Sequence, residues 1–407
     1  MTFTRPFLAL TLAAAGAACE PAPHASSRIE IVDAGTDVGA ACEPESSSEA
    51  RADVLVLGDD SFAGCSVVAV RNGIRLVPSS DGSRPDPSWT SIVRDGSGRF
   101  YSAATGASGR GLLLVWGSDG KFLRTLGRQG EGPGELVGRG LPALMIGPGD
   151  SLIVNEASRW SVFGPDMEFG RVIVGPAVTR NRDMIHVLED GRFLSTAPVA
   201  AGDPAAWFHL SGADGKLIRS FGPIEPPPAD GQAPPRASAL AGDGTFWVGP
   251  PPGAPGGYVL EQWSVDGQRL RSIERRVDWI VGEAPDPAAR VPLPLFNAMH
   301  VDDAGRLWVM ALVKDARWRP LQPGENDDEL ATELYDIRYE VIDPSAGAVL
   351  VSGVIDELPG EDERGWPPIG RFMNGSSMSY RPLPDSMGLE TIEFYDVRLV
   401  ASRGSRR

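Results

Sequence analysis

The chain has 407 residues, 42% of them hydrophobic, with 54 Asp and Glu against 38 Lys and Arg for a formal net charge of −16. A chain this acidic, with no basic stripe, is a poor partner for nucleic acid or for anionic lipid headgroups. The 49 glycines and 36 prolines are spread along the sequence, which fits many short strands joined by tight turns better than it fits helices.

The N-terminus carries the first local signal. Arg5 supplies a positive charge, Phe7 to Ala15 is an apolar stretch, and small residues lead to Gly16-Ala17-Ala18-Cys19. The stretch is too short to span a bilayer as a helix. It resembles a bacterial lipoprotein signal, in which the cysteine is lipidated and becomes the first mature residue. The resemblance implies a signal peptide over 1–18, lipidation at Cys19, and membrane attachment through that anchor alone. Gly16 departs from it, standing where the lipobox carries Leu. Ordinary cleavage near Ala17 is the alternative, and it would leave a soluble periplasmic protein. Glu20 follows the cysteine where Asp marks inner-membrane retention in related lipoproteins, so the expected address is the outer membrane, facing the periplasm. A cell-surface position is the other alternative. No later segment is long and apolar enough to cross a membrane.

Residues 19–66 are rich in Ala, Ser, Glu and Pro and read as a tether. Cys42 and Cys65 are then the only cysteines left. In an oxidising compartment they are expected to bridge, closing a loop of about 22 residues at roughly 3 kcal/mol in the chain-entropy model. Two free thiols are the alternative. Neither cysteine lies in a CxxC motif, so redox catalysis and structural zinc lose their usual support.

From residue 67 the chain repeats. A tight turn followed by an apolar strand occurs at Asp95-Gly96-Ser97-Gly98-Arg99-Phe100-Tyr101, Gly149 to Val154, Asp190 to Leu194, Asp243 to Val248, and Asp302 to Val309. The residues just before the apolar runs are 99, 151, 192, 245 and 306, giving steps of 52, 41, 53 and 61. Between these copies lies a second motif, an Asp-Gly-like turn between apolar runs, at Asp119-Gly120, Asp166, Asp214-Gly215, Asp266-Gly267 and Asp343. Both turns are hairpin signals, because Gly and Asp tolerate positive φ. Two hairpins per repeat make four strands, and four-stranded sheets at this period are propeller blades. Five blades are plain. A sixth fits Arg371 to Val400, with Phe372-Met373 and Ile392 to Val397 as strands. An early strand at Val67–Val70 or Ile74–Val77 would complete that sheet and join the chain's ends. The expected fold is all-β: a six-bladed β-propeller of four-stranded antiparallel blades over 67–400, then a basic tail, 401–407.

The stretch Leu152-Ile153-Val154-Asn155-Glu156 with Arg159 to Phe163 resembles an NHL repeat. Gly127-Arg128-Gln129-Gly130-Glu131-Gly132-Pro133-Gly134-Glu135-Leu136 resembles the loop after the first blade in six-bladed propeller lipoproteins of environmental bacteria, and the two ends of the 67–400 region fit that family too. The resemblance implies an NHL-like fold and an envelope address, and it implies no activity.

The candidate chemistry is thin. The loop 127–135 lacks the Gly-Lys-Ser/Thr of a phosphate cradle, and Glu131 and Glu135 would repel an anion, so it reads as a crossover between blades. His186 and His300 share one register, six residues before Arg192 and Arg306, where the other copies hold Val93, Met145 and Ala239. Both histidines could face the channel as metal ligands, but no repeat supplies a third, and packed inter-blade histidines are the alternative. Asn155 and Glu156 are a sole echo of the calcium ligands in gluconolactonase-like propellers. Glu325, Asp327, Asp328 and Glu329 do not match an EF-hand and read as a solvated loop. The tryptophans fall in strands and read as blade packing. No catalytic residues are assigned and no cofactor is expected beyond a possible channel metal ion. The sequence therefore points to a binding or scaffolding propeller for a protein, peptide or glycan. The alternative is a metal-dependent hydrolase or lyase of the gluconolactonase type.

Overall fold

The computed structural model describes residues 29–42, 53–58, 64–79, 83–85, 92–105, 112–137, 142–156, 159–174, 185–196, 206–224, 236–251, 257–280, 294–315, 318–319, 322, 325, 334–355, 377–384 and 390–402. Among them no helix is long and apolar enough to cross a membrane. Three strands precede the first blade: β1 (Glu30–Val32), β2 (Val54–Leu57) and β3 (Cys65–Leu76). Blade 1 holds β4 (Arg84–Pro85) and β5 (Ile92–Arg94), both paired with β6 (Phe100–Thr105), then β7 (Leu113–Trp116) and β8 (Phe122–Leu126). Blade 2 is β9 (Ala143–Gly147), β10 (Ser151–Glu156), β11 (Arg159–Phe163) and β12 (Phe169–Val174). Blade 3 is β13 (Ile185–Val187), β14 (Phe193–Ser195), β15 (Ala206–Ser211) and β16 (Leu217–Pro223). Blade 4 is β17 (Ser238–Leu240), β18 (Thr245–Val248), β19 (Tyr258–Ser264) and β20 (Arg269–Arg275). Blade 5 is β21 (Leu295–Val301), β22 (Leu307–Lys314), β23 (Tyr335–Asp343) and β24 (Ala348–Ile355). Blade 6 takes β25 (Met378–Pro384) and β26 (Glu390–Ala401) from the C-terminal end and β3 from the N-terminal end.

The ring closes in blade 6. β3 runs antiparallel to β26, with Val397 opposite Ala69 and Ile392 opposite Leu76. It is one continuous strand that takes in Val67–Val70 and all of Ile74–Val77 but its last residue. The expected strand at Phe372–Met373 lies outside the described residues, and β25 is the innermost strand of this blade. The segment read as a tether supplies two more strands, both parallel to a blade's outer strand. β1 lies on β3, Ile31 opposite Ala69, and β2 lies on β20, Leu55 opposite Ile273.

The core is divided among the six seams between blades, because each sheet has two apolar faces and must cover both. Val93 and Tyr101 meet Leu152 and Phe163 between blades 1 and 2. Met145 and Trp160 meet Ile185 and Phe193 between blades 2 and 3. Phe208 meets Phe246 between 3 and 4, and Trp247 and Tyr258 meet Phe296 and Val309 between 4 and 5. Trp308 and Tyr339 meet Val67 and Leu399 between 5 and 6. Trp116 and Phe100 meet Phe394 and Ile392 where the ring closes. The strand tryptophans are thus seam residues.

Both repeated turns have a physical task. In the first, a carboxylate ties the turn to the strand after it. Asp302 accepts from Ala304 N at 3.0 Å, Arg306 N at 2.9 Å, Arg306 Nε at 2.7 Å and Trp308 Nε1 at 3.0 Å. Asp95 does the same with Ser97, Arg99 and the Tyr101 hydroxyl. The second turn packs against the preceding blade. Gly215 has φ +82°, and a Cβ there would lie 2.5 Å from Val174 O of blade 2. Gly120 meets Arg75 O of blade 6 in the same way. Five residues after the Asp of this turn stands an arginine in each of four blades: Arg124, Arg171, Arg219 and Arg271. Arg219 Nη1 donates to Asp266 O at 2.6 Å and Arg271 Nη1 to Pro344 O at 3.2 Å, each a turn of the next blade. Because strands alternate in direction, both tight turns lie on one face of the ring.

Candidate functional site

The innermost strands β5, β9, β13, β17, β21 and β25 form the channel wall, and the two candidate metal histidines lie on β13 and β21. Their register is a seam register. Val93, Met145 and Ala239, at the equivalent positions, are each 4% exposed, and Val93 and Met145 pack against the next blade. His186 Nε2 lies 2.7 Å from Ser238 Oγ of blade 4, and Thr196 Oγ1 lies 2.9 Å from the same hydroxyl. Burial pushes the imidazoles of His186 and His300 down to about 4, so both are neutral at pH 7. The carboxylates Asp302 and Asp303 pull His300 back only in part. Among the described residues no three His, Cys, Asp or Glu side chains could share a metal ion.

The His186–Ser238 pair has the spacing of a base and a nucleophile, but not the remaining parts. Among the described residues no carboxylate takes a hydrogen bond from His186, and so depressed an imidazole is a weak base at neutral pH. A part-buried Thr–Ser–His chain joining blades 3 and 4 is what the geometry supports. His209 is likewise consumed within blade 3. Its Nδ1 lies 2.8 Å from Ser220 Oγ, and its Nε2 lies 3.1 Å from Ala206 O, to which it donates.

Two further ion pairs among the described residues join distant parts of the chain, and neither has a local sequence signal. Arg236, just before β17, donates through Nη2 to Glu261 at 2.7 Å and through Nε to Gly249 O at 2.7 Å, and its guanidinium lies over Trp207 and Phe208 of blade 3. Burial pushes the Glu261 carboxyl up, but Arg236 and Arg269 outweigh it and hold the group below the usual range. Arg275 of blade 4 makes a two-point contact with Glu340 of blade 5, at 2.6 and 3.0 Å. The same guanidinium donates to Leu57 O at 3.0 Å and Gly58 O at 2.8 Å.

The glycine-rich loop 127–136 is held by its own side chains and by Arg159 of β11. Gly132 N and Arg128 both bond Glu135, at 2.7 and 2.6 Å, and Arg159 donates to the carbonyls of Glu131 and Gly132. Its carboxylate faces inward onto the loop amides, the position a bound phosphate would need. Glu156 accepts from Val137 N at 2.9 Å, tying β10 to the same crossover. Glu325 pairs with Arg319 at 2.6 and 2.8 Å, which holds its carboxyl near 2. Asp327, Asp328, Glu329 and the lipidation candidate Cys19 lie outside the described residues. Cys42 and Cys65 are joined as a disulfide. Asn155 stands apart: it is fully buried, and neither its amide nitrogen nor its oxygen has a partner among the described residues.

The chain is therefore a six-bladed β-propeller. No family model matches it, and no curated protein matches its sequence. Solved structures resemble it in fold. A candidate exported protein of Bacteroides fragilis matches with a TM-score of 0.51 at 12% identity, over 85% of this chain and 99% of its own. A gluconolactonase of Xanthomonas campestris matches with a TM-score of 0.36 at 13% identity, over 81% and 97%. An ulvan lyase of polysaccharide lyase family 25 matches with 0.36 at 10% identity, over 74% and 78%. Likeness at such identities concerns the fold alone.

Proposed function

We propose that the protein is a non-catalytic binding or scaffolding propeller. It is displayed at the bacterial envelope as an NHL-like lipoprotein anchored through Cys19 on the periplasmic side of the outer membrane. The observation that carries this is the use of its polar interior. His186, His209, Arg236, Glu261, Arg275 and Glu340 are each engaged with a neighbouring strand or blade, which leaves them to hold the ring. The rim of the ring opposite the tight turns is the natural face for a protein, peptide or glycan ligand.

One observation favours the alternative of a metal-dependent hydrolase or lyase, namely the unpartnered amide of Asn155. The rest of the donor set does not fit. Glu156 is committed to Val137 N, and no trio of ligands forms among the described residues. Metal analysis of protein purified without chelator separates the two. A binding propeller yields no stoichiometric ion after dialysis, and a retained ion would favour the enzyme. The anchor is tested separately: Cys19→Ala should move the protein from the membrane to the soluble fraction, since acyl burial contributes about 0.8 kcal/mol per CH₂. A wild-type protein already soluble would sink the lipoprotein assignment.

A further inference from the structure

Two outer strands of the ring carry an added strand, and the chain supplies both. β1 lies parallel on β3, and β2 lies parallel on β20. Each added strand is flanked by an Asp near an outer-strand arginine. Asp33, next after β1, pairs with Arg71 at 2.7 Å, and the register sets Asp53, just before β2, level with Arg271. At blade 4 the backbone holds the strand, Ser272 N donating to Asp53 O and Arg276 N to Leu57 O, both at 2.9 Å. Leu55 stands opposite Ile273 and shares its seam, and Ile273 is 0% exposed.

β16 of blade 3 is the twin of β20 without the added strand. Each has seven residues, and each bulges at the same place against the third strand of its blade. Arg219, Ser220 and Phe221 stand where Arg271, Ser272 and Ile273 do, and Ile224 stands where Arg276 does. Among the described residues no strand pairs with the outer edge of β16. Its apolar side chains lie open: Leu217 and Ile218 are exposed, and Phe221, the counterpart of the sealed Ile273, is only partly buried. An open edge with exposed apolar side chains is the template on which a further strand adds, main-chain bonds giving affinity and alternate side chains giving specificity. The two strands already seated on this ring state what such an edge accepts: a short apolar run that carries an aspartate to the arginine.

We propose that the outer edge of blade 3 binds an extended segment of a partner protein, which adds to β16 as a parallel strand with an acidic residue first and alternating apolar residues after it, as β2 does on β20. The proposal rests on the binding reading above and gives it a second surface, on the outer wall of the ring. The probe is a synthetic peptide of the sequence 53–58, Asp-Val-Leu-Val-Leu-Gly, with blocked ends and a fluorophore whose anisotropy gives its dissociation constant. Amide exchange is then followed with the peptide at ten times that constant. Protection over 220–224 should rise about 10-fold, while the amides of β10 in blade 2 are unchanged. The same peptide methylated on its Leu55 amide, which faces the edge in this pairing, should raise it far less, and so should the peptide carrying Asp53→Lys. No rise over 220–224 would overturn the proposal. So would an equal rise with either altered peptide, because the contact would then depend on neither the backbone nor the carboxylate. High protection over 220–224 in peptide-free protein that sediments as a dimer would overturn it too, since a second copy would hold the edge. None of these outcomes decides the binding reading, which the metal analysis tests on protein without peptide.

Discussion

Replacing Glu340 by Gln tests the buried pair between blades 4 and 5. The Arg275 side chain is 0% exposed and that of Glu340 2%, and the contact is two-pointed at 2.6 and 3.0 Å. Gln keeps the volume and one acceptor but removes the counter-charge, leaving a buried guanidinium without its carboxylate. Breaking a buried pair on one side costs about 3 to 5 kcal/mol. Arg275 retains Leu57 O and Gly58 O, which puts the expected loss near the lower end, about 3 kcal/mol. A urea titration followed by tryptophan fluorescence reads this as a lower midpoint at unchanged slope. The double variant Arg275→Met/Glu340→Leu should recover most of the loss, because neither desolvation nor an unpaired charge remains. A Glu340→Gln protein within about 0.5 kcal/mol of wild type would refute the reasoning, since that is the range of an ordinary surface substitution.

The second turn predicts a contrast. Gly215→Ala, with positive φ and Val174 O 2.5 Å from the new Cβ, should lower the melting temperature well beyond Gly244→Ala, where φ is +77° and nothing lies within 4 Å; equal effects would show that the turn does not touch blade 2. Asp302→Ala strips four donors of their acceptor and should destabilise by about 2 to 4 kcal/mol with altered Trp308 emission, and an unaltered protein would remove the turn-tying role. The histidines predict a pH dependence. Folded values near 4 against an ordinary 6.5 mean that the unfolded chain binds more protons between those limits. Stability is therefore complete above pH 6.5 and falls as the pH drops toward 4. His300→Gln should flatten that slope in denaturant titrations at several pH values, and an unchanged slope would contradict the burial.

Much of the fold was legible because its signals are local. The Asp-x-x-Gly-Arg turns and the Asp-Gly hairpins each lie within a few residues, and their period sets the blade. The sixth blade was harder. Its innermost strand carries Pro382 and Pro384, which argue against a strand wherever both edges are paired, and are tolerated here on an inner edge. β2 is a plain Val-Leu-Val-Leu run inside a stretch whose composition reads as tether. Its partner β20 lies more than two hundred residues away, and nothing local announces a parallel edge pairing. Shorter separations, 65 residues between Arg275 and Glu340 and 28 between Arg236 and Phe208, likewise leave no local signal. The histidine register was readable with hindsight: Val93, Met145 and Ala239 at the same position are apolar, as a seam requires and a polar channel does not.

Ring closure through β3 is the structural claim on which the binding reading stands, since blade 6 exists only if the two ends of the chain share one sheet. Starting the chain at Ser79 removes Val67, Val68, Val70 and Leu76 from the core and leaves β26 with an open edge. Thermal unfolding of that shortened chain, followed by circular dichroism at a β-sheet wavelength, is the direct measurement. The account predicts a melting temperature lower by more than about 10 °C, or no cooperative transition at all. An unchanged melting temperature would show that the ring is closed without its clasp.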